Sequence, residues 1–355
     1  MSGKTNSVSL KAGIVRDQFV PILIGYALSV LVGCVVIWFT TGVEPVSAYL
    51  VGLRSAFLPS YNFLSSLWRM VPLLLTALGV SIAFRTGVFN VGGDGQFYLG
   101  AFAAVWTGFS LQMSSSFVHV LLCIVAGLVA GAAWAFIPAF LKTRFQVNEV
   151  VSCIMMNSIS FLLIDNLIVN KYKAPIGAGE TTRSILPTAR IDPFIPLSSF
   201  NYFFFISIGL SLLVLLLFMK TTLGYEFKMI GLNERAAKYS GLAVNKRIIA
   251  AMLMSGAFSG LAGALKVIGE QYVMRTGMNG TIGFRAIIVS LISRGNPLLI
   301  LITSFLLALT ESSSVGMEIA KGIPSSISMI MESIFMFVVI IYSGLSNMRN
   351  EGREG

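Results

Sequence analysis

Apolar residues run along this chain in long blocks, broken by short polar segments rich in glycine and charge. Seven blocks approach or reach the ~20 residues that a helix needs to cross a bilayer. They lie at about Phe19–Phe39, Asn62–Phe84, Phe117–Leu141, Val150–Val169, Tyr202–Met219, Ile248–Ile268 and Ile327–Tyr342. Three more, Phe97–Leu111, Phe284–Ile292 and Leu298–Leu309, are short, and predict a broken or re-entrant helix at each. The pattern predicts an all-α polytopic membrane protein with ten candidate spans, about 8–10 of them crossing fully. One transmembrane domain then covers residues 1–355, with no separate soluble domain. The first block is too long for a signal-peptide core and lacks a small-residue cleavage site, so it reads as a retained span.

Composition narrows this further. Hydrophobic residues fill 55% of the 355 positions and charged residues 11%, against about 25% charged in soluble domains. That excludes an ordinary soluble enzyme, and disorder as well. The net charge is +10, from 25 basic and 15 acidic residues. In a soluble protein that would raise nucleic acid as a partner. Here the basic residues are scattered between apolar blocks without an aromatic-interleaved patch, so they read as positive-inside topology and nucleic acid is not expected.

Ten spans put both termini on one side, with residues 1–18 cytoplasmic. Lys142 and Arg144 follow the fourth span, and Arg349 and Arg353 follow the last. Residues 220–247 carry six basic residues (Lys220, Lys228, Arg235, Lys238, Lys246, Arg247) against Glu226 and Glu234. All of these fall on the cytoplasmic side. Residues 170–200 fall outside despite Lys171, Lys173, Arg183 and Arg190. Close helix approach is available at Gly127-x-x-x-Gly131 and Gly256-x-x-x-Gly260, continued by Gly263.

Cys34, Cys123 and Cys153 lie in or beside apolar blocks without CxxC spacing and read as buried thiols. His119 is the single histidine, which removes most histidine-based metal sites and Ser-His-Asp chemistry. No metal ligand set is expected, and the chain carries no P-loop of its own. The informative residues are polar ones at membrane depth. Asn90, Gly92, Gly93, Asp94, Gly95 and Gln96 form a glycine-rich break between two apolar blocks. It is either an interfacial turn or an irregular backbone lining a cavity. Glu149, Cys153, Asn157 and Ser160 are spaced to share one helix face, which either bonds to other helices or lines a pathway. Glu332 lies deep in the last block, and its carboxyl must be paired, protonated or facing water. Asn233 can cap a short helix whose first turn holds Glu234 and whose stop is Gly241, on a loop long enough to dock a soluble partner.

Three of these segments together carry a resemblance. Phe89-Asn90-Val91-Gly92-Gly93-Asp94-Gly95-Gln96 matches an FN[IV]G[AG][ED]GQ signature. Asn148-Glu149-Val150-Val151-Ser152-Cys153-Ile154-Met155-Met156-Asn157 matches NEV[IV]-x2-IM-x-N. The loop from Gly231 through Leu232, Asn233, Glu234, Ala236 and Ala237 to Gly241 matches GLN-x-x-AA-x-Y-x-G. From about residue 60 onward the chain resembles the integral-membrane permeases of bacterial ATP-binding-cassette importers, in the ribose, branched-chain amino acid and nucleoside branch. It is most similar to the nucleoside type.

The resemblance implies a non-enzymatic permease subunit in the bacterial cytoplasmic membrane, with no cofactor of its own because a separate cytoplasmic ATPase binds ATP. It implies a second permease subunit, identical or not, and an extracytoplasmic substrate-binding lipoprotein. The glycine-rich set, Glu149, Asn157 and Glu332 would line the solute path, and Gly231–Gly241 would be the coupling helix that docks on the ATPase. The family's Gly-[FY]-Asp-Gly-Ile segment reads Gly283-Phe284-Arg285-Ala286-Ile287 here, which reverses a charge and loses a glycine. The rival readings are a permease for a simple sugar, an ion- or proton-coupled secondary transporter titrating Asp94, Glu149 and Glu332, and a multi-span membrane enzyme.

Overall fold

A computed structural model describes residues 3–175, 179–278, 281–324, 326–327, 329–335, 337–338 and 341, with side chains from Ile22 onward. Twelve α-helices are named: α1 (Gly3–Thr41), α2 (Pro45–Phe57), α3 (Ser60–Arg85), α4 (Gly93–Ser110), α5 (Ser116–Phe145), α6 (Glu149–Asn170), α7 (Phe203–Lys220), α8 (Thr222–Leu232), α9 (Glu234–Tyr239), α10 (Val244–Lys266), α11 (Ile282–Ile292) and α12 (Pro297–Lys321). Helix α10 continues into a π-helical turn, Val267–Gln271. Among the described residues the only strand-like pairings are the bridges Lys173–Thr182 and Thr181–Arg275. Among the described residues seven helices are long and apolar enough to cross a membrane: Ile22–Thr41, α3, α5, α6, α7, Val244–Gln271 and α12. The chain is an all-α polytopic membrane protein.

The apolar blocks were a good guide to these helices, with three departures. The ninth block was expected to be short, but α12 runs 25 residues. Thr310, Glu311 and the serines at 312–314 end the apolar run without ending the helix. Helix α2 has no counterpart among the blocks, because Ser47 and Arg54 dilute its hydropathy; Pro45 opens it with a preset φ. Third, the glycine-rich break is not irregular throughout: Gly93 to Gln96 are the first turn of α4. The tenth block is helical at the described residues from 327 to 341, whereas Arg349 and Arg353 lie outside them.

The chain divides into two compact units, residues 1–67 with 302–355, and residues 68–301. In the first, Ile37, Ala48, Met317, Ile323, Ile327 and Met331 form an apolar cluster. Gly52 lets α2 approach α12 so closely that a Cβ there would lie 2.7 Å from the Ser313 carbonyl oxygen. Glu332 belongs to this unit and is buried.

In the second unit α4, α5 and α10 meet backbone to backbone. A Cβ on Gly260 would lie 2.2 Å from the Gly127 carbonyl oxygen and one on Gly131 2.3 Å from the Gly256 carbonyl oxygen. On the α4 side, a Cβ on Gly100 would lie 2.4 Å from the Gly260 Cα and one on Gly263 2.1 Å from the Phe97 carbonyl oxygen. The two small-residue patterns in the sequence are thus one three-helix contact, with α4 supplying the third face.

The same unit has two distinct ends. At one, Lys142 of α5 pairs with Glu149 of α6 at 2.9 Å. The close of α8 reaches that end too: a Cβ on Gly231 would lie 2.4 Å from the Arg85 carbonyl oxygen, at the end of α3. At the other end, residues 182–191 pack on the end of α10 and the segment after it. Ile185 N–H donates to the Tyr272 carbonyl (2.9 Å) and Thr182 N–H to that of Met274 (2.9 Å). The Arg190 guanidinium lies 5.1 Å over the Tyr272 ring and donates to Ser184 Oγ at 3.0 Å. Arg190, one of the basic residues that the topology left unexplained in this loop, is therefore used in building it.

Candidate functional site

The predicted polar residues of α4 and α6 come together at a buried junction. Asn90, Asp94, Gln96, Asn157 and Ser160 are all buried, as are Glu149 and Cys153. The face that α6 turns away from them, with Val151, Met155 and Leu162, is exposed and apolar, as a lipid-facing stripe should be. Asn157 lies eight residues into α6, about 12 Å along its axis. Helix α4 therefore begins inside the bundle, where no water can satisfy its first N–H groups.

Side chains from elsewhere satisfy them instead. The N-cap residue of α4 is Gly92, which has no side chain to offer. Asn157 replaces it: its Oδ1 accepts from Gly95 N–H at 2.9 Å, and its Nδ2 donates to the Val91 carbonyl at 3.0 Å. Asn90 and Gln96 form a reciprocal amide pair with both bonds at 3.0 Å. Asn90 also accepts from Gly92 N–H (3.0 Å) and donates to Ser255 Oγ of α10 (2.7 Å).

Asp94 does for α11 what Asn157 does for α4. The N-cap residue of α11, Thr281, makes no side-chain cap. Asp94 Oδ1 accepts from Gly283 N–H at 2.7 Å, and the Phe284 amide donates to the same carboxylate. A carboxylate at a helix N-terminus also complements the helix dipole. Two broken helices thus meet N-terminus to N-terminus, one carrying the carboxylate that caps the other.

The glycines serve this approach rather than unusual backbone angles. Gly92 has φ −79°. A Cβ on Gly95 would lie 2.7 Å from Ser160 Oγ, and one on Gly283 2.3 Å from the Asp94 amide nitrogen. That contact leaves no room for a side chain at Gly283. Asp94→Asn keeps an acceptor but loses the charge, at a cost of about 1 kcal/mol in local capping. We expect it to lower solute uptake with near-normal membrane levels of the protein, measured by transport and immunoblot on the same cells.

Glu149, in the first turn of α6, pairs with Lys142, and its carboxylate also accepts from the backbone N–H of Phe89, next to Asn90. Glu332 lies in the other unit. His119 ties α5 to its neighbours, with Nε2–H donating to the Thr107 carbonyl at 3.3 Å and Nδ1 bonded to Thr188 Oγ1 at 2.8 Å.

The second predicted feature forms as read. Asn233 Oδ1 accepts from Ala236 N–H at 3.0 Å, α9 starts at Glu234, and Gly241 takes φ +82° beyond its end. Gly231 and Leu232 close α8. Helix α9 is exposed, Tyr239 at 92%, except for Ala237 at 1%. Ala237 belongs to an apolar cluster with Val88, Val91, Cys153, Ile230 and Ile248. One methyl group therefore rests α9 on residues that flank the Asn90–Gly95 junction.

One constellation escaped sequence reasoning. Lys266 and Glu270, four apart at the end of α10, pair at 2.8 Å, and Trp68 Nε1 donates to Glu270 at 3.1 Å. The sign was a lysine inside the seventh apolar block with an acid four positions on.

A bundle of lipid-facing helices around broken ones, with its polar groups inside, is the architecture of a membrane transport protein. Residues 62–343 match the model of the branched-chain amino acid transport system / permease component family, and the chain belongs to that family. It is 30% identical over 329 residues to the guanosine ATP-binding-cassette transporter permease protein NupP of Bacillus subtilis, covering 91% of this chain and 92% of that one. It is 28% identical to the nucleoside permease protein NupB of Lactococcus lactis, covering 92% and 91%. It is 27% identical to the glucose permease protein TsgB13 of Haloferax volcanii, covering 84% and 81%. No solved structure matches the chain. The chain is the permease component of an ATP-binding-cassette importer.

Proposed function

We propose that this permease carries a nucleoside across the bacterial cytoplasmic membrane. The observation that carries the reading is the similarity, across more than nine-tenths of each chain, to permeases named for guanosine and for nucleosides. The glucose permease among the relatives makes a simple sugar the second reading. In this proposal the whole chain works as one permease domain with both termini and residues 220–247 in the cytoplasm and residues 170–200 outside. A cytoplasmic ATPase supplies ATP binding, a substrate-binding lipoprotein delivers solute, and a second permease subunit completes the membrane part. The solute path runs beside Asn90, Gly92, Gly93, Asp94, Gly95, Gln96, Glu149 and Asn157.

Helix α9 is the proposed ATPase contact, from Gly231 and Leu232 through Asn233, Glu234, Ala236 and Ala237 to Gly241. Support comes from its exposed face, and from Ala237, which would pass a push on α9 to Val91 beside the α4 cap. Nucleotide-driven movement of the ATPases would then shift the capped, broken helices between inward- and outward-open states.

Uptake of radiolabelled guanosine and glucose by cells expressing the permease with its ATPase and lipoprotein tests the reading. We expect guanosine uptake that stops on ATP depletion and survives collapse of the membrane potential. The opposite dependence would establish the ion-coupled rival, and glucose uptake alone the second reading. Glu234→Lys combined with Tyr239→Ala changes only exposed positions. We expect it to reduce co-purifying ATPase at least about 10-fold, equivalent to ~1.4 kcal/mol; unchanged co-purification would remove α9 from the interface.

A further inference from the structure

The end of α10 is built unlike the rest of the bundle. Its last turn, Val267–Gln271, is π-helical, and Tyr272 stops it with φ +57°. Such turns cost regular helix geometry and recur where function needs a side chain re-aimed. Gly269 permits the turn's packing: a Cβ there would lie 2.8 Å from the Trp68 ring and 2.9 Å from the Asn201 side-chain nitrogen. The turn also presents a charge pair on an apolar helix, Lys266 and Glu270, with side chains 18% and 22% exposed. Replacing such a pair by apolar residues is generally neutral or stabilising, so stability does not account for it.

The hydrogen bonding is lopsided. Lys266 Nζ and Trp68 Nε1 both converge on Glu270 Oε2. Glu270 Oε1 takes no hydrogen bond among the described residues, and the adjacent Gln271 Oε1 is enclosed without a partner among them. An enclosed acceptor left unmatched costs about 1–3 kcal/mol unless something donates to it. The set therefore offers an accessible acceptor oxygen on Glu270, plus an ammonium group with protons to spare.

We propose that the π turn of α10 is a solute-binding station for a neutral, polyhydroxylated solute. Glu270 Oε1 accepts one proton of a vicinal diol, and Lys266 donates to a hydroxyl oxygen of the same pair. Trp68 holds the carboxylate in place. The ribose of a nucleoside and a hexose share this chemistry, so the station rests on the permease function proposed above but not on the choice between those solutes. It lies at the end of the unit where residues 182–191 pack, the side proposed to face the lipoprotein.

The test uses the complete transporter in proteoliposomes, with guanosine and glucose as probes. For whichever probe the wild type carries, Glu270→Gln is expected to raise the half-saturation concentration at least 10-fold, with the maximal rate and the amount of assembled complex near wild type. The exchange Lys266→Glu with Glu270→Lys, which restores an ion pair, is expected to assemble and to be impaired to a similar degree. Wild-type half-saturation in the exchanged variant would make the pair structural and overturn the station. The wild type should also prefer its solute at least 10-fold over the analogue lacking the vicinal diol, such as 2′,3′-dideoxyguanosine. Equal handling of the two overturns the station without recourse to any variant. A wild type that carries neither probe overturns the transport reading, and the station with it.

Discussion

Gly260→Val should remove the protein from the membrane. At Gly260 a Cβ would lie 2.2 Å from the Gly127 carbonyl oxygen and 2.9 Å from the Gly131 Cα. Both neighbours are backbone of α5, so no side chain can swing aside. Overpacking of a rigid contact costs about 1–3 kcal/mol even where side chains can adjust, and here α5 itself must move. That movement opens the α4 contact too, because Gly260 also faces Gly100. We expect loss of most membrane-inserted protein, read by immunoblot of membrane fractions. Gly209→Val, where nothing lies within 4 Å of the added Cβ, is the matched control and should accumulate normally. Normal accumulation of the Gly260 variant would mean that α4, α5 and α10 do not pack as described.

Asn157→Leu should cost nearly as much by a different route. Leucine fits the apolar surroundings of α6 but strands both partners of the amide, the Gly95 N–H and the Val91 carbonyl. Each buried group left unmatched costs about 1–3 kcal/mol, so the pair amounts to roughly 2–6 kcal/mol, and no water is at hand to replace the amide. We expect a lower midpoint of thermal aggregation for the detergent-solubilised protein and loss of uptake. Asn157→Asp keeps the acceptor for Gly95 and should fall between the two. A leucine variant as stable as the parent would show that the α4 terminus is satisfied in another way.

The helices were legible in the sequence because lipid demands unbroken apolar runs, and the one long helix misjudged, α12, failed where polar residues continue a helix without apolar character. Asn233 and Gly241 were legible as cap and stop because both act within a few residues of chain. The trans caps were not. Asp94 and Gly283 are 189 residues apart, as are Asn90 and Ser255 by 165. Residue type marked Asp94 and Asn157 as expensive at depth, yet only the fold tells that each spends its hydrogen bonds on a neighbouring helix terminus. The glycine-rich break misled in the same way: three glycines suggested a loose backbone, whereas they are the thin places where α4 touches α6 and α11. Lys266 with Glu270 was readable in principle by its spacing, but from the sequence Glu270, at the edge of an apolar block, reads as a solvated acid rather than as the partner of Lys266 and Trp68.

The three-helix contact has a mechanical corollary. Helices separated by side chains can slide, because rotamers exchange and the interface heals. Where glycine brings peptide units directly against one another there is no such lubricant, and a small shear already drives carbonyl oxygens into neighbouring backbone. Helices α4, α5 and α10 are on that account a single stiff block. Whatever opens this permease turns the block as a whole, and the bending falls to the short helices beside it: α9, which leans on it through one methyl group, and α11, which the Asp94 carboxylate holds by its first turn.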